Sequence, residues 1–302
     1  RFTALDIAEL NKDEYTCLYL QGGASLQFLM TAYNFLNNNA AYINTGSWST
    51  KAIKEAKMFG DVTEIASSAD KNFNYIPKDL SLNESYDYLH LTSNNTIFGT
   101  QFHSFPDVNY PLFADMSSDI FSRKINFSKF DLIYAGAQKN LGPAGVTMVL
   151  IRKSLLKNIS RQVPSMLSYK IHADKDSSFN TPPVFPIYCV LLNLRMIKND
   201  GLDNIASNND IKSKLIYKEI DNNKCFSGFS HVDDRSQMNA TFNLNDGFNG
   251  ELFNEICKEN NISGINGHRS VGGYRASIYN ALPIDSVKLL IKCMKEFESN
   301  YN

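Results

Sequence analysis

Residues 131–151 read DLIYAGAQKNLGPAGVTMVLI. Two apolar runs in it, residues 132–134 and 146–151, have the length and composition of short buried strands. Between them lies a single cation, Lys139, bedded among Ala135, Gly136, Ala137, Gly142, Ala144 and Gly145. Side chains this small let a flat, bulky group approach the backbone. A lysine held between buried strands is partly desolvated, which lowers its pKa and makes its amine a usable nucleophile. Taken alone, Lys139 reads more readily as a turn residue pointing into water. The rest of the chain decides between the two.

Towards the N-terminus, residues 17–20 form an apolar strand, followed by Gln21-Gly22-Gly23-Ala24-Ser25 and an apolar helical run at 26–36. Strand, glycine turn and helix start present free N–H groups and a positive dipole end to an anion. No Gly-Lys-Ser/Thr follows, so this is not a nucleotide P-loop. A second strand, 40–43, runs into Asn44-Thr45-Gly46-Ser47-Trp48 and a helix at 50–59; a third, 88–92, runs into Ser93-Asn94-Asn95-Thr96. A fourth, 110–114, ends at Asp115. An acid in that position is costly unless it meets a cation or strong donors. Four strand ends with polar or special residues predict an α/β fold with one site at the C-terminal edge of a mostly parallel sheet.

Beyond residue 151 the pattern changes. A helix is expected at 154–162, an irregular polar segment at 165–178, and a rigid turn at Phe179-Asn180-Thr181-Pro182-Pro183, where the prolines impose extended backbone. Residues 184–199 read as a core helix despite Pro186, and 204–221 as a more polar one. A β-α-β-α succession follows, with strands at 238–244 and 274–277 and helices at 250–260 and 284–298. The chain therefore divides into a large domain, 1–200, and a smaller C-terminal α/β domain, 201–302. Residues 267–275, Gly-His-Arg-Ser-Val-Gly-Gly-Tyr-Arg, gather an imidazole and two guanidinium groups around glycines. Arginine forks bind carboxylates and phosphates through paired hydrogen bonds.

Composition narrows the function classes. At 302 residues and 43% hydrophobic content, the chain can bury two cores. A net charge of −1 gives no basic footprint for nucleic acid or an anionic membrane. No apolar run is long enough to span a bilayer, and the start has no signal-peptide pattern, so a cytoplasmic protein is expected. The five cysteines and five histidines are scattered without metal-ligand spacing, which predicts no metal site and buried thiols in a reducing compartment.

Ala135-Gly136-Ala137-Gln138-Lys139-Asn140-Leu141-Gly142-Pro143-Ala144-Gly145 resembles the lysine motif of the phosphoserine aminotransferases, pyridoxal-phosphate enzymes of the class V aminotransferase group. Residues 267–281 resemble the family's C-terminal signature, and 21–28, 114–118 and 180–183 resemble further family segments in the same order. The likeness runs from about residue 15 to residue 298. It implies the type I fold of these transferases, a seven-stranded mostly parallel sheet with a smaller C-terminal domain. It implies that Lys139 carries pyridoxal 5'-phosphate and acts as the acid–base catalyst. Asp115 would meet the ring nitrogen, Trp48 would stack on the ring, and Thr96 would touch the cofactor. Ala24 and Ser25 would hold its phosphate, with Gln138 nearby, and Asn180 and Thr181 would complete the other subunit's site in a homodimer. His268 and Arg269 would take the substrate phosphate, and Arg275 its carboxylate. The implied reaction is ping-pong transamination from glutamate to 3-phosphohydroxypyruvate in serine biosynthesis, with a vitamin B6 precursor as a further substrate.

The sequence departs from the family in two places. Ala24-Ser25-Leu26 stands where the phosphate loop often has an arginine, so only backbone N–H groups remain there. The family's N-terminal stretch, with a Ser-Gly-Pro turn and a His-Arg pair, is expected to be absent from this chain, and its role is not transferred to Arg1. The alternatives are another class V enzyme, or an inactive or regulatory homologue. No cysteine sits in a polar glycine-rich loop as a desulfurase requires, and the His268-Arg269 pair favours a phosphorylated substrate. An inactive homologue would be expected to have lost some of this residue set.

Overall fold

The structure is a computed structural model that describes residues 1–81 and 85–301. Its larger sheet is built from β1 (Tyr15–Leu20), β2 (Asn39–Asn44), β3 (Asp61–Ser67) and β4 (Leu89–Thr92). A short hairpin, β5 (Asn94–Asn95) with β6 (Thr100–Gln101), interrupts before the sheet resumes with β7 (Leu112–Asp115), β8 (Leu132–Gly136) and β9 (Thr147–Arg152). The seven strands lie in the order β1-β9-β8-β7-β4-β2-β3. Only β9 runs against its neighbours; the other pairings are parallel. Consequently β1, β2, β4, β7 and β8 all end on one edge, which collects Gln21, Thr45, Ser93, Met116 and Ala137 there.

The central strands are apolar on both faces because helices cover both. One face packs α1 (Phe2–Ile7) and α6 (Val184–Asp200) through Leu5, Ile7, Val190 and Leu194. The other packs α2 (Gly23–Phe35), α3 (Ser47–Ala56), α4 (Lys153–Lys157) and α5 (Tyr169–Asp174) through Phe28, Ile53, Leu155 and Tyr169. A third core surrounds an antiparallel three-stranded sheet, β10 (Phe226–Gly228), β11 (Asn239–Leu244) and β12 (Tyr274–Ser277). It is closed by α7 (Leu202–Asn222), α8 (Gly250–Glu259) and α9 (Ile284–Ser299) through Ile216, Phe253 and Phe297.

The structure corrects several expectations. The strand Asp61–Ser67 was not read from the sequence; it lies at the sheet edge and buries only Ile65, so it carries little apolar signal. The helix expected at 154–162 stops at Lys157, and the segment read as irregular contains α5, capped by Ser168 through the Ile171 N–H. The expected core helix at 184–199 is core on one side only: Val190, Leu194 and Ile197 are buried, whereas Val184, Phe185, Tyr188, Leu192 and Met196 are exposed. Among the described residues no helix is long and apolar enough to cross a membrane.

Candidate active site

The shared strand edge holds a cavity of about 180 Å3 lined by Gly23, Ala24, Ser25, Phe28, Trp48, Thr92, Asn94, Asp115, Ser117, Ser118, Gln138 and Lys139. A larger cleft of about 420 Å3 between residues 76–80, 101–106 and Asp233-Asp234 shares no residue with it.

Each wall follows from local structure. The start of α2 forms one side, and among the described residues no side chain caps it. Gly22, just before it, has φ +90, and a Cβ there would meet Leu26 Cβ at 2.6 Å, so the turn requires glycine. Gly46 serves α3 in the same way: φ is +145, and a Cβ would lie 2.7 Å from Asn95 Oδ1. Two residues later Trp48 is half-buried, and its Nε1 donates to Thr96 Oγ1 at 3.1 Å. Thr96 itself is buried and supports the indole.

Lys139 follows β8, and its Nζ lies 5.8 Å from the centroid of the Trp48 ring. Among the described residues this Nζ makes no hydrogen bond. Burial lowers its pKa first of all; Asp115 opposes the fall, Arg275 adds to it, and Asp119 opposes it again. Asp115 closes β7 and is buried; burial raises its pKa, against the Ser117 hydroxyl, the Lys139 ammonium and the Ser117 N–H. Burial thus makes the amine readier to lose its proton and the acid readier to hold one, while the Ser117 bonds and the Lys139 ammonium counter it at Asp115. An amine and an acid with burial-shifted pKa values in one cavity make the pair a candidate for chemistry.

Arg275, on β12, reaches this edge from the smaller sheet, and its Nη1 donates to the Thr96 carbonyl at 3.3 Å. Gln138 is exposed at the cavity mouth. The remaining expected residues do not line the cavity of this chain. Asn180 Nδ2 donates to Gln21 Oε1 at 3.0 Å, and Gln21 Nε2 donates to the Thr181 carbonyl at 3.3 Å, so both stand beside the glycine turn that precedes α2. His268 and Arg269 are exposed on a loop closed by the Gly267 N–H bond to the Gly273 carbonyl, 2.8 Å long. Thr92, Asn94, Ser117 and Ser118 line the cavity without having been singled out. The sequence carried a signal for one of them: Asp115-Met116-Ser117 is the spacing in which an aspartate accepts from the N–H two residues on.

The donor set fits pyridoxal phosphate. Asp115 Oδ2 accepts no hydrogen bond among the described residues and is free for a ring N–H. The uncapped α2 start offers donors to a phosphate, Trp48 a face to the ring, and Lys139 an amine.

The comparisons agree with this geometry. The family model described as aminotransferase class-V matches residues 6–290. A phosphoserine aminotransferase of Flavobacterium psychrophilum is 54% identical over 302 residues, covering 99% of this chain and 85% of the relative. The structure of a phosphoserine aminotransferase from Bacillus circulans subsp. alkalophilus superposes with a TM-score of 0.95 at 43% identity, over 100% of this chain and 85% of that one. A PLP-bound phosphoserine aminotransferase from Trichomonas vaginalis gives 0.91 at 34% identity, over 97% and 85%. With the fold, the lysine–acid cavity and these matches in accord, the chain belongs to the class-V aminotransferase family.

Proposed function

We propose that this chain transfers the amino group of glutamate to 3-phosphohydroxypyruvate, releasing 2-oxoglutarate and O-phosphoserine. It is a pyridoxal-phosphate-dependent transaminase, as its family and its phosphoserine aminotransferase relatives support. The observation that carries the site assignment is Lys139, half-buried and without a hydrogen bond among the described residues, facing Asp115 across a cavity walled by Trp48.

The residues take these roles. Lys139 holds the cofactor, and once displaced by substrate its amine moves the proton at the substrate Cα. Bound pyridoxal phosphate supplies the electron sink for that proton transfer. Asp115 holds the proton on the ring nitrogen, Trp48 and Thr96 fix the ring plane, and the N–H groups of Ala24 and Ser25, with Gln138 nearby, receive the phosphate. Arg275 takes a substrate carboxylate; its Nη1 is held by the Thr96 carbonyl, whereas its Nε has no partner among the described residues. His268 and Arg269, exposed beside β12, are assigned the substrate phosphate.

The working unit is a homodimer. The exposed apolar stripe Val184, Phe185, Tyr188, Leu192 and Met196 begins just after Asn180 and Thr181, so burying it against a second copy brings these two residues to an interface. They would then complete the partner's phosphate site. The chain divides at residue 200 into a cofactor domain and a smaller domain that carries the substrate arginine. We place the enzyme in the cytoplasm, in serine biosynthesis, with a vitamin B6 precursor as a second acceptor.

The test is a visible spectrum of the purified protein with pyridoxal phosphate. The expected result is a cofactor band that bleaches with glutamate and returns with 3-phosphohydroxypyruvate. In Lys139→Ala the fold is kept and turnover is lost. Retained transamination in that variant would sink the assignment.

A further inference from the structure

The two carboxylate oxygens of Asp115 have unequal surroundings. Oδ1 accepts twice from one residue: the Ser117 N–H at 2.9 Å and the Ser117 hydroxyl at 2.6 Å. That hydroxyl oxygen in turn accepts the Gly136 N–H at 3.1 Å. Because it accepts from the backbone on one side, its own hydrogen turns to the carboxylate on the other. Gly136 ends β8 and leads into the Lys139 loop, so the chain of bonds ties the acid to the segment that carries the amine. Ser117 is buried and lines the same cavity.

We infer that Ser117 is a positioning residue for this reaction: its hydroxyl holds Asp115 as an anion through Oδ1 and leaves Oδ2 to receive the cofactor's ring N–H. A short hydroxyl-to-carboxylate bond favours the charged form of the acid. Of the influences that oppose burial at Asp115, the Ser117 hydroxyl is the largest, ahead of the Lys139 ammonium. Without it the carboxyl drifts towards its neutral form, the ring nitrogen loses its proton more readily, and electron withdrawal through the ring weakens. The inference rests on the assignment of Asp115 to the ring nitrogen made under Proposed function.

A serine that merely closes the turn would behave differently. The turn bond from the Ser117 N–H survives in Ser117→Ala, which removes only the hydroxyl. Holoenzyme of wild type, Ser117→Ala and Ser117→Thr is compared in three measurements: the pH titration of the cofactor's visible band, the rate of cofactor release on dilution, and the single-turnover rate with glutamate. Losing one charge-assisted bond is expected to shift the titration and to slow single turnover by roughly ten- to a hundredfold. Cofactor release speeds up, KM for glutamate stays within about threefold, and Ser117→Thr restores wild-type behaviour. Should the alanine variant not fold, Ser117→Cys, similar in size but a weak donor, must show the same shifts. A Ser117→Ala or Ser117→Cys holoenzyme with a wild-type titration and release rate overturns the inference. Asp115→Asn is run alongside. If it too leaves the band and turnover unchanged, the Asp115 assignment has failed; if it alters both while the serine variants do not, only the role of Ser117 falls.

Discussion

Lys139 and Lys212 are both held out of water, and burial lowers the pKa of both ammonium groups. Their partners differ. Lys139 lines a cavity and feels Asp115 across it, with no hydrogen bond among the described residues. Lys212, on α7 and only 1% exposed, has its Nζ set against backbone carbonyls: Tyr279 at 2.7 Å, Ile278 at 3.0 Å and Asn280 at 3.5 Å. Three donors on three acceptors leave no lone pair to offer and no room for a substrate. Desolvation makes either amine more acidic, but only the one that opens onto a cavity can react. Lys212 does structural work instead. The turn it gathers contains Asn280, whose N–H donates to Asn140 Oδ1 at 3.1 Å and whose Nδ2 donates to the Phe121 carbonyl at 2.9 Å. Asn140 is the neighbour of Lys139, so the turn held by Lys212 is tied to the loop that carries Lys139.

The comparison breaks most openly by substitution. Lys139→Ala should cost at least about a thousandfold in turnover, as loss of a nucleophile and proton carrier does, while changing unfolding free energy by only about 1 kcal/mol. The relief of a desolvated charge there is offset by Asp115 losing its counter-charge. Lys212→Met should show the reverse: turnover within about tenfold, but roughly 2–4 kcal/mol less stability, because buried carbonyls lose their donors. Urea unfolding and a coupled transaminase assay read the two effects separately. A Lys212→Met enzyme as stable as wild type would mean that water replaces the ammonium and the staple is dispensable.

A smaller effect fixes the charge of Lys212. Burial pulls its pKa down to about 8, whereas the unfolded chain keeps that proton to about 10.4. Between these values the unfolded chain binds more protons than the folded one, so this group makes stability rise with pH through the window. Below about pH 8 it is charged in both states and contributes no slope. The stability difference between wild type and Lys212→Met, measured by urea unfolding, should therefore shift in wild type's favour towards about pH 10, by at most about 1.4 kcal/mol per pH unit. A flat difference would show that the carbonyls hold the ammonium charged throughout.

The two lysines were not equally legible. Lys139 stands out because glycines and apolar strands flank it, a pattern with few structural uses, and the family likeness then gave it a role. Asp115 and Trp48 stood out for the same reason, as unusual residues at strand ends. Lys212 lies in a polar helix near Lys214, whose side chain is 75% exposed, and composition does not tell the two apart. Periodicity does: Ile205, Asn209, Lys212, Ile216 and Ile220 share the buried face of α7 at helical spacing. Reading that face position by position finds the buried charge, whereas reading the helix as polar overall hides it. The fold shows the same division. Central strands with apolar faces were legible, while Asp61–Ser67, half solvated at the sheet edge, and the three-residue strand Phe226–Gly228 were not. Ser117, Thr92 and Asn94 escaped because small polar residues after a strand look like any loop until the sheet gathers them round one cavity.

The finest test concerns a third lysine. Trp48, the chain's single tryptophan, has Lys51 Nζ at 4.4 Å from its ring centroid and Lys139 Nζ at 5.8 Å. Lys51 is the nearer cation, yet it is exposed and does not line the cavity. If opening onto the cavity, rather than closeness to the ring, marks the reactive amine, Lys51→Ala should cost only about 0.5–1 kcal/mol of stability, the value of an exposed cation–π contact. Turnover should stay within about twofold, since no group that meets the cofactor has changed. Trp48 fluorescence reports both substitutions without interference from another indole. It should shift in apo Lys51→Ala and in apo Lys139→Ala alike, whereas only Lys139→Ala should abolish the bleaching of the cofactor band by glutamate. A Lys51→Ala enzyme slowed tenfold or more would place that exposed amine among the groups that hold substrate, and the line drawn between the lysines would move from the cavity wall to the helix beside it.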